Sequence, residues 1–116
     1  MSLSTHVLDA ALGRPAAGMA VRLDAASAAG GWTPLAETRT DRDGRAREAF
    51  ADASGGALAS GVYRLAFDTA DYYAEQGVKE FFYPEVVVCF TVADPAAHYH
   101  VPLLLSPFSY STYRGS

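Results

Sequence analysis

An all-β sandwich with one short helix is the fold this sequence predicts, and three observations predict it. Short segments alternate apolar and polar residues with a period of two, the mark of half-buried strands. Glycine, proline and aspartate clusters separate those segments at short intervals. A single stretch breaks the alternation in favour of a helical pattern. At 116 residues, half of them hydrophobic and fewer than a fifth charged, the chain is long enough to bury one core but not two.

Each element follows in order. "LSTHVLD" (3–9) alternates and stops before the turn sequence "ALGRPAAG". "MAVRLDAA" (19–26) is the next strand, and Gly30-Gly31 turn the chain into "WTPLAETRT" (32–40). In "TDRDGRA" (40–46), Asp43-Gly44 stands between two strand candidates and is the strongest short hairpin signal of the chain. "ADASGGALAS" (51–60) reads as a loop, and "GVYRLAFD" (61–68) as a strand with Val62 and Leu65 toward the core. "TADYYAEQG" (69–77) is the helix, with Thr69 as its expected N-cap, Asp71 in the first turn and Gly77 as its stop. "EVVVCFTV" (85–92), "HYHVPLLL" (98–105) and "YSTYRG" (110–115) complete about eight strands, the content of a two-sheet sandwich. With no internal repeat and no linker, a single domain over 1–116 is expected.

Composition excludes several functions. A net charge of −4 with scattered Lys and Arg leaves no basic patch for nucleic acid and no basic helix for a membrane surface. No apolar run reaches membrane-spanning length and no leader precedes the first strand, so a cytoplasmic location is expected. The single cysteine, Cys89, cannot form an internal disulfide and is expected to be a small buried hydrophobe.

Strand alternation sorts side chains onto faces. Tyr99, Val101, Leu103 and Leu105 form one core stripe, and Leu3, Thr5 and Val7 another. His98, His100, Pro102 and Leu104 take the opposite face of their strand, and His6 shares its face with Ser4 and Leu8. Ser111, Tyr113 and Gly115 lie together. All three histidines thus stand on strands, opposite the core. Outer faces carrying Leu8, Pro102, Leu104 and Tyr113 are too apolar for bare solvent and mark an interface; covered by other subunits, His6 and His100 would line a groove between chains. A three-histidine metal site at His6, His98 and His100 lacks a suitably spaced carboxylate or thiolate. A serine-hydrolase elbow is absent. Taken alone, Arg45 is an ordinary turn residue, and Tyr113, Arg114 and Ser116 an ordinary tail.

Together, "LSTHVLDAALGRPAAGMAVRL" (3–23), "TDRDGRA" (40–46) and "HYHVPLLLSPFSYSTYRGS" (98–116) resemble the transthyretin-related family, in its 5-hydroxyisourate hydrolase branch. "GVYRLAFDTADYYAEQG" and "FFYPEVVVCF" extend the likeness over essentially the whole chain. The terminal Tyr-Arg-Gly-Ser is its most specific motif and separates the hydrolases from the hormone-carrying transthyretins. The resemblance implies a sandwich of two four-stranded sheets with one short helix, assembled as a homotetramer, a dimer of dimers with active sites in a central channel. It implies hydrolysis of 5-hydroxyisourate to 2-oxo-4-hydroxy-4-carboxy-5-ureidoimidazoline in urate degradation, with no cofactor and no metal. His6, Arg45, His100 and Ser116 become the catalytic set, and His6, Arg45, Tyr113 and Arg114 the substrate contacts. His100 is preferred to His98 because it lies further into its strand, with His98 toward the channel mouth. The resemblance further implies that the tail ends at Ser116 so as to leave the cavity open. A non-catalytic carrier of a flat aromatic ligand, on the same scaffold, is the alternative.

Overall fold

A computed structural model of the chain describes residues 2–47 and 59–116. Two sheets face each other. The first runs in the order β2 (Arg14–Pro15), β1 (Ser2–Asp9), β8 (His98–Ser106) and β9 (Ser109–Thr112), with β5 (Arg45–Ala46) also paired to β1. The second runs β4 (Trp32–Arg39), β3 (Ala20–Ala26), β6 (Gly61–Phe67) and β7 (Val86–Val92). Among the described residues every strand pairing is antiparallel except that of β1 with β8, which is parallel. A parallel pair cannot be closed by a tight turn, so the two strands that carry all three histidines come from opposite ends of the chain.

The core lies between the sheets. Leu3, Val7, Tyr99, Leu103 and Leu105 enter from one side; Val21, Leu23, Leu65, Phe67, Val86 and Val92 enter from the other. Helix α1 (Thr69–Glu75) follows β6 and buries Tyr72 and Tyr73. The Tyr72 hydroxyl donates to Asp9 Oδ2 at 2.7 Å, which ties the helix to the end of β1. Burial and that carboxylate together push the Tyr72 hydroxyl well above its usual pKa.

Among the described residues, two sheets and one short helix match the fold read from the sequence, and several details correct it. The first sheet contains five strands rather than four, because the two-residue β5 joins it. Asp43-Gly44 does form a tight turn, with Gly44 N–H donating to Asp41 O. It is not a hairpin: β4 belongs to the second sheet and β5 pairs with β1. Thr40 fixes this corner, its hydroxyl donating to Ala16 O at 2.7 Å and accepting from Met19 N–H at 2.9 Å. Gly44 is required there. Its φ is +78°, and a Cβ would lie 2.4 Å from the Val7 carbonyl oxygen.

Val62 is exposed, because Tyr63, Leu65 and Phe67 take the inner face and Val62 has the opposite parity. Cys89 is exposed for the same reason, on a strand whose buried residues are Val86 and Val92. The N-cap of α1 is Asp68, whose side chain accepts from Asp71 N–H, while Thr69 turns its hydroxyl to Tyr83 O. Residues 51–58 of the loop expected over 51–60 lie outside the described residues.

Candidate active site

Register places the candidate residues. In the parallel pair, Ser4 stands opposite His100 and His6 opposite Pro102; in the antiparallel pair, His6 stands opposite Arg45. Because strand side chains alternate, His6, Arg45 and His100 share the outer face of the first sheet. His6 and His100 are one strand and two residues apart, about 8 Å along the diagonal between backbones. Two imidazoles and a guanidinium at that spacing can address one small molecule together. Among the described residues no group of three His, Cys, Asp or Glu side chains is arranged to hold a metal ion.

His6 Nε2 is 2.8 Å from the backbone carbonyl of Asp43. A carbonyl only accepts, so Nε2 carries the proton and Nδ1 of the neutral ring is left as the acceptor. The turn that offers this carbonyl is organised by Asp41, whose Oδ1 accepts from Asp43 N–H and Arg45 N–H, both at 2.9 Å. The Arg45 backbone bond above all holds the Asp41 carboxyl below its usual range. One short turn thereby orients His6 and presents Arg45.

His100 is half-buried, and its Nδ1 lies 2.7 Å from Ser4 Oγ. Burial first, then the positive charge of Arg45, then His98 and His6 lower its pKa, so the neutral imidazole is favoured. His98 is exposed at the start of β8, bonded to Ser2 Oγ and Ser4 Oγ.

The tail folds back over β8. Thr112 Oγ1 donates to Pro102 O at 2.7 Å, and Gly115 N–H donates to His100 O at 2.8 Å in a two-residue antiparallel bridge. Gly115 lies against the imidazole itself: a Cβ there would sit 2.4 Å from His100 Cδ2. Arg114 turns away and stacks its guanidinium over the Tyr99 ring, 4.6 Å from the centroid. Tyr113 is 60% exposed, and Ser116 is exposed beyond Gly115. His6, Arg45 and His100 are thus brought together, the tail reaches them through Gly115, and Arg114 acts on the other flank.

Asp41, Ser4 and Gly115 did not stand out from the sequence as site residues. Ser4 had a signal in its parity with His6, and Asp41 one in the Asp-x-x-Gly turn pattern. A cavity of about 240 Å³ lies behind the tail, against β7, lined by Val88–Thr91, Tyr99–Val101 and Thr112–Arg114. It touches His100 but not His6 or Arg45, which stand on the outer face of the first sheet.

The arrangement defines a transthyretin-like sandwich whose outer face carries groups able to move protons and to stabilise an anion. Residues 3–115 match the HIUase/Transthyretin family, and the chain belongs to that family. It is 45% identical over 115 residues to the 5-hydroxyisourate hydrolase of Mus musculus, covering 98% of this chain and 94% of that protein. The solved structure of Klebsiella pneumoniae 5-hydroxyisourate hydrolase superposes with a TM-score of 0.82 at 34% identity, with both chains fully covered. Transthyretin from Sparus aurata superposes with a TM-score of 0.87 at 37% identity, covering 98% of this chain and 96% of that one. The fold alone therefore does not separate the hydrolase from transthyretin.

Proposed function

We propose that the protein hydrolyses 5-hydroxyisourate, opening its six-membered ring to 2-oxo-4-hydroxy-4-carboxy-5-ureidoimidazoline. Water adds to a ring carbonyl, the carbon–nitrogen bond breaks, and the leaving nitrogen takes a proton. This needs a base for water, a cation for the developing oxyanion and an acid for nitrogen. His100 is the base. The observation that carries this reading is its imidazole, held by Ser4 and Gly115 on the face that also bears Arg45 and His6; burial, then the charge of Arg45, favour its neutral form. Arg45 stabilises the oxyanion and, after burial, disfavours protonated His100. His6, with Nε2–H committed to Asp43 O, presents Nδ1 to orient water and, once protonated, to deliver a proton to the leaving nitrogen. Tyr113 holds the flat ring, Ser116 positions water, and Arg114 anchors the tail.

This outer face is completed in a homotetramer, a dimer of dimers. Leu8 and Leu104 beside the cluster, and the exposed Tyr113, supply apolar surface for that contact. The carrier reading draws on the Sparus aurata transthyretin, but a carrier has no need of a base, an acid and a cation on one face.

Steady-state kinetics of His6→Ala, His100→Ala and Arg45→Ala on freshly generated 5-hydroxyisourate test the proposal. Losses of about 10²-fold or more in kcat are expected for each. Full turnover in both histidine variants would show the mechanism to be wrong.

A further inference from the structure

The parallel register that builds the site also builds a second feature on the same two strands. Ser2 and Ser4 on β1 stand opposite His98 and His100 on β8, respectively. Both pairs share one face, and their side chains link head to tail. Ser2 Oγ is 2.5 Å from His98 Nδ1, His98 Nε2 is 3.3 Å from Ser4 Oγ, and Ser4 Oγ is 2.7 Å from His100 Nδ1. Ser2 and His98 are exposed, Ser4 is buried and His100 is half-buried. The chain therefore runs from solvent to the imidazole beside Arg45. Among the described residues, His100 Nε2 has no protein hydrogen-bond partner and remains for substrate or water.

We propose that Ser2, His98 and Ser4 form a proton path that connects His100 to solvent, with Ser4 as the positioning residue that sets the His100 tautomer. The proposal rests on the reading of His100 as the base. Each hydroxyl has one proton and lone pairs, and each imidazole can hold its proton on either nitrogen, so the chain can be ordered in two directions. In one, His100 Nδ1–H donates to Ser4, Ser4 to His98 Nε2, and His98 Nδ1–H to Ser2; His100 Nε2 then offers a lone pair to water. In the other, every donor is reversed and Nε2 carries a proton.

Passing between the two orders balances without a co-reactant. A proton taken from water enters at His100 Nε2. The Nδ1 proton moves to Ser4, the Ser4 proton to His98, the His98 proton to Ser2, and the Ser2 proton to bulk water. His100 ends neutral, and the reverse passage, in which Ser2 takes a proton from bulk water and His100 Nε2 releases its own to water in the emptied site, restores the base for the next turnover.

Ser4→Ala cuts the path beside His100, Ser4→Thr keeps the hydroxyl, and His98→Ala removes the exposed relay while leaving space for a small base. Kinetics on 5-hydroxyisourate should show Ser4→Ala losing at least about tenfold in kcat with KM little changed. Ser4→Thr should recover most of that loss. His98→Ala should lose kcat in weak buffer and regain it as free imidazole is added, which a merely structural histidine does not do. The double variant should be no slower than Ser4→Ala, because both substitutions cut one path. Wild-type kcat in Ser4→Ala, or a His98→Ala loss that imidazole leaves untouched, would overturn the path.

Should the wild type fail to turn over this substrate, the proposed function fails by itself and NMR of the imidazole nitrogens still decides the path. The His100 ring should hold its proton on Nδ1 in the wild type and redistribute it between Nδ1 and Nε2 in Ser4→Ala. An identical proton distribution in the two proteins would reject it. Arg45 from β5, His6 from β1 and Tyr113 and Arg114 from the tail also surround His100, and the comparison leaves all four unchanged.

Discussion

Gly115→Ala asks how closely the tail and the proposed base are fitted. A Cβ on Gly115 would meet His100 Cδ2 at 2.4 Å, Cγ at 3.1 Å and Cβ at 3.2 Å, where ordinary contact begins at 3.4 Å. Ring and tail must separate by about 1 Å, and two routes exist. If the tail lifts, the Gly115 N–H to His100 O bond is lost, at about 1 kcal/mol. If the ring swings, it leaves its rotamer, about 0.5–1.5 kcal/mol, and loses Ser4 as well. Either cost is small against global stability, since the tail lies at the surface. Displacement of a reacting group by 1 Å, however, costs about 10²-fold in rate. Gly115→Ala should therefore unfold in denaturant within about 1 kcal/mol of the wild type while its kcat falls by about two orders of magnitude. Wild-type turnover would refute the fit between tail and base; a large loss of stability with kcat intact would assign the contact to folding instead.

Further outcomes follow from other contacts. Arg45→Gln removes one of the causes, after burial, that disfavour protonated His100. The His100 pKa should rise, and the acid limb of the kcat/KM profile should move to higher pH, with an unmoved limb counting against His100 as base. Gly44→Ala drives a Cβ into the Val7 carbonyl at φ +78°, a backbone atom that cannot give way; chemical unfolding should show a loss of about 2 kcal/mol or more. Tyr72→Phe leaves Asp9 Oδ2, on a carboxylate only 4% exposed, without its donor, and the same measurement should register about 1–3 kcal/mol.

Much of this fold was legible because alternation is a local signal. Tyr99, Val101, Leu103 and Leu105 read as a core stripe and are one, and His6, His98 and His100 fell on the opposite face by parity alone. Val62 and Cys89 were misplaced where apolar character was weighed above parity. The turn at Asp43-Gly44 was visible, but not that its strands part to different sheets, since that corner depends on Thr40 meeting Ala16 and Met19. Pairing between distant strands is not encoded locally at all: nothing in the order of residues sets Ser4 beside His100, 96 positions away. For that reason the candidate ionisable groups could be named from sequence, whereas Ser4, Asp41 and Gly115, which hold them, required the register.

The most direct measurement is the absorbance of freshly oxidised urate after the purified protein is added. Decay of the 5-hydroxyisourate signal should accelerate in proportion to protein concentration, with many turnovers per chain. A decay rate unchanged by the protein, or slowed as the compound is bound without being opened, would contradict a hydrolytic site and leave a carrier in its place.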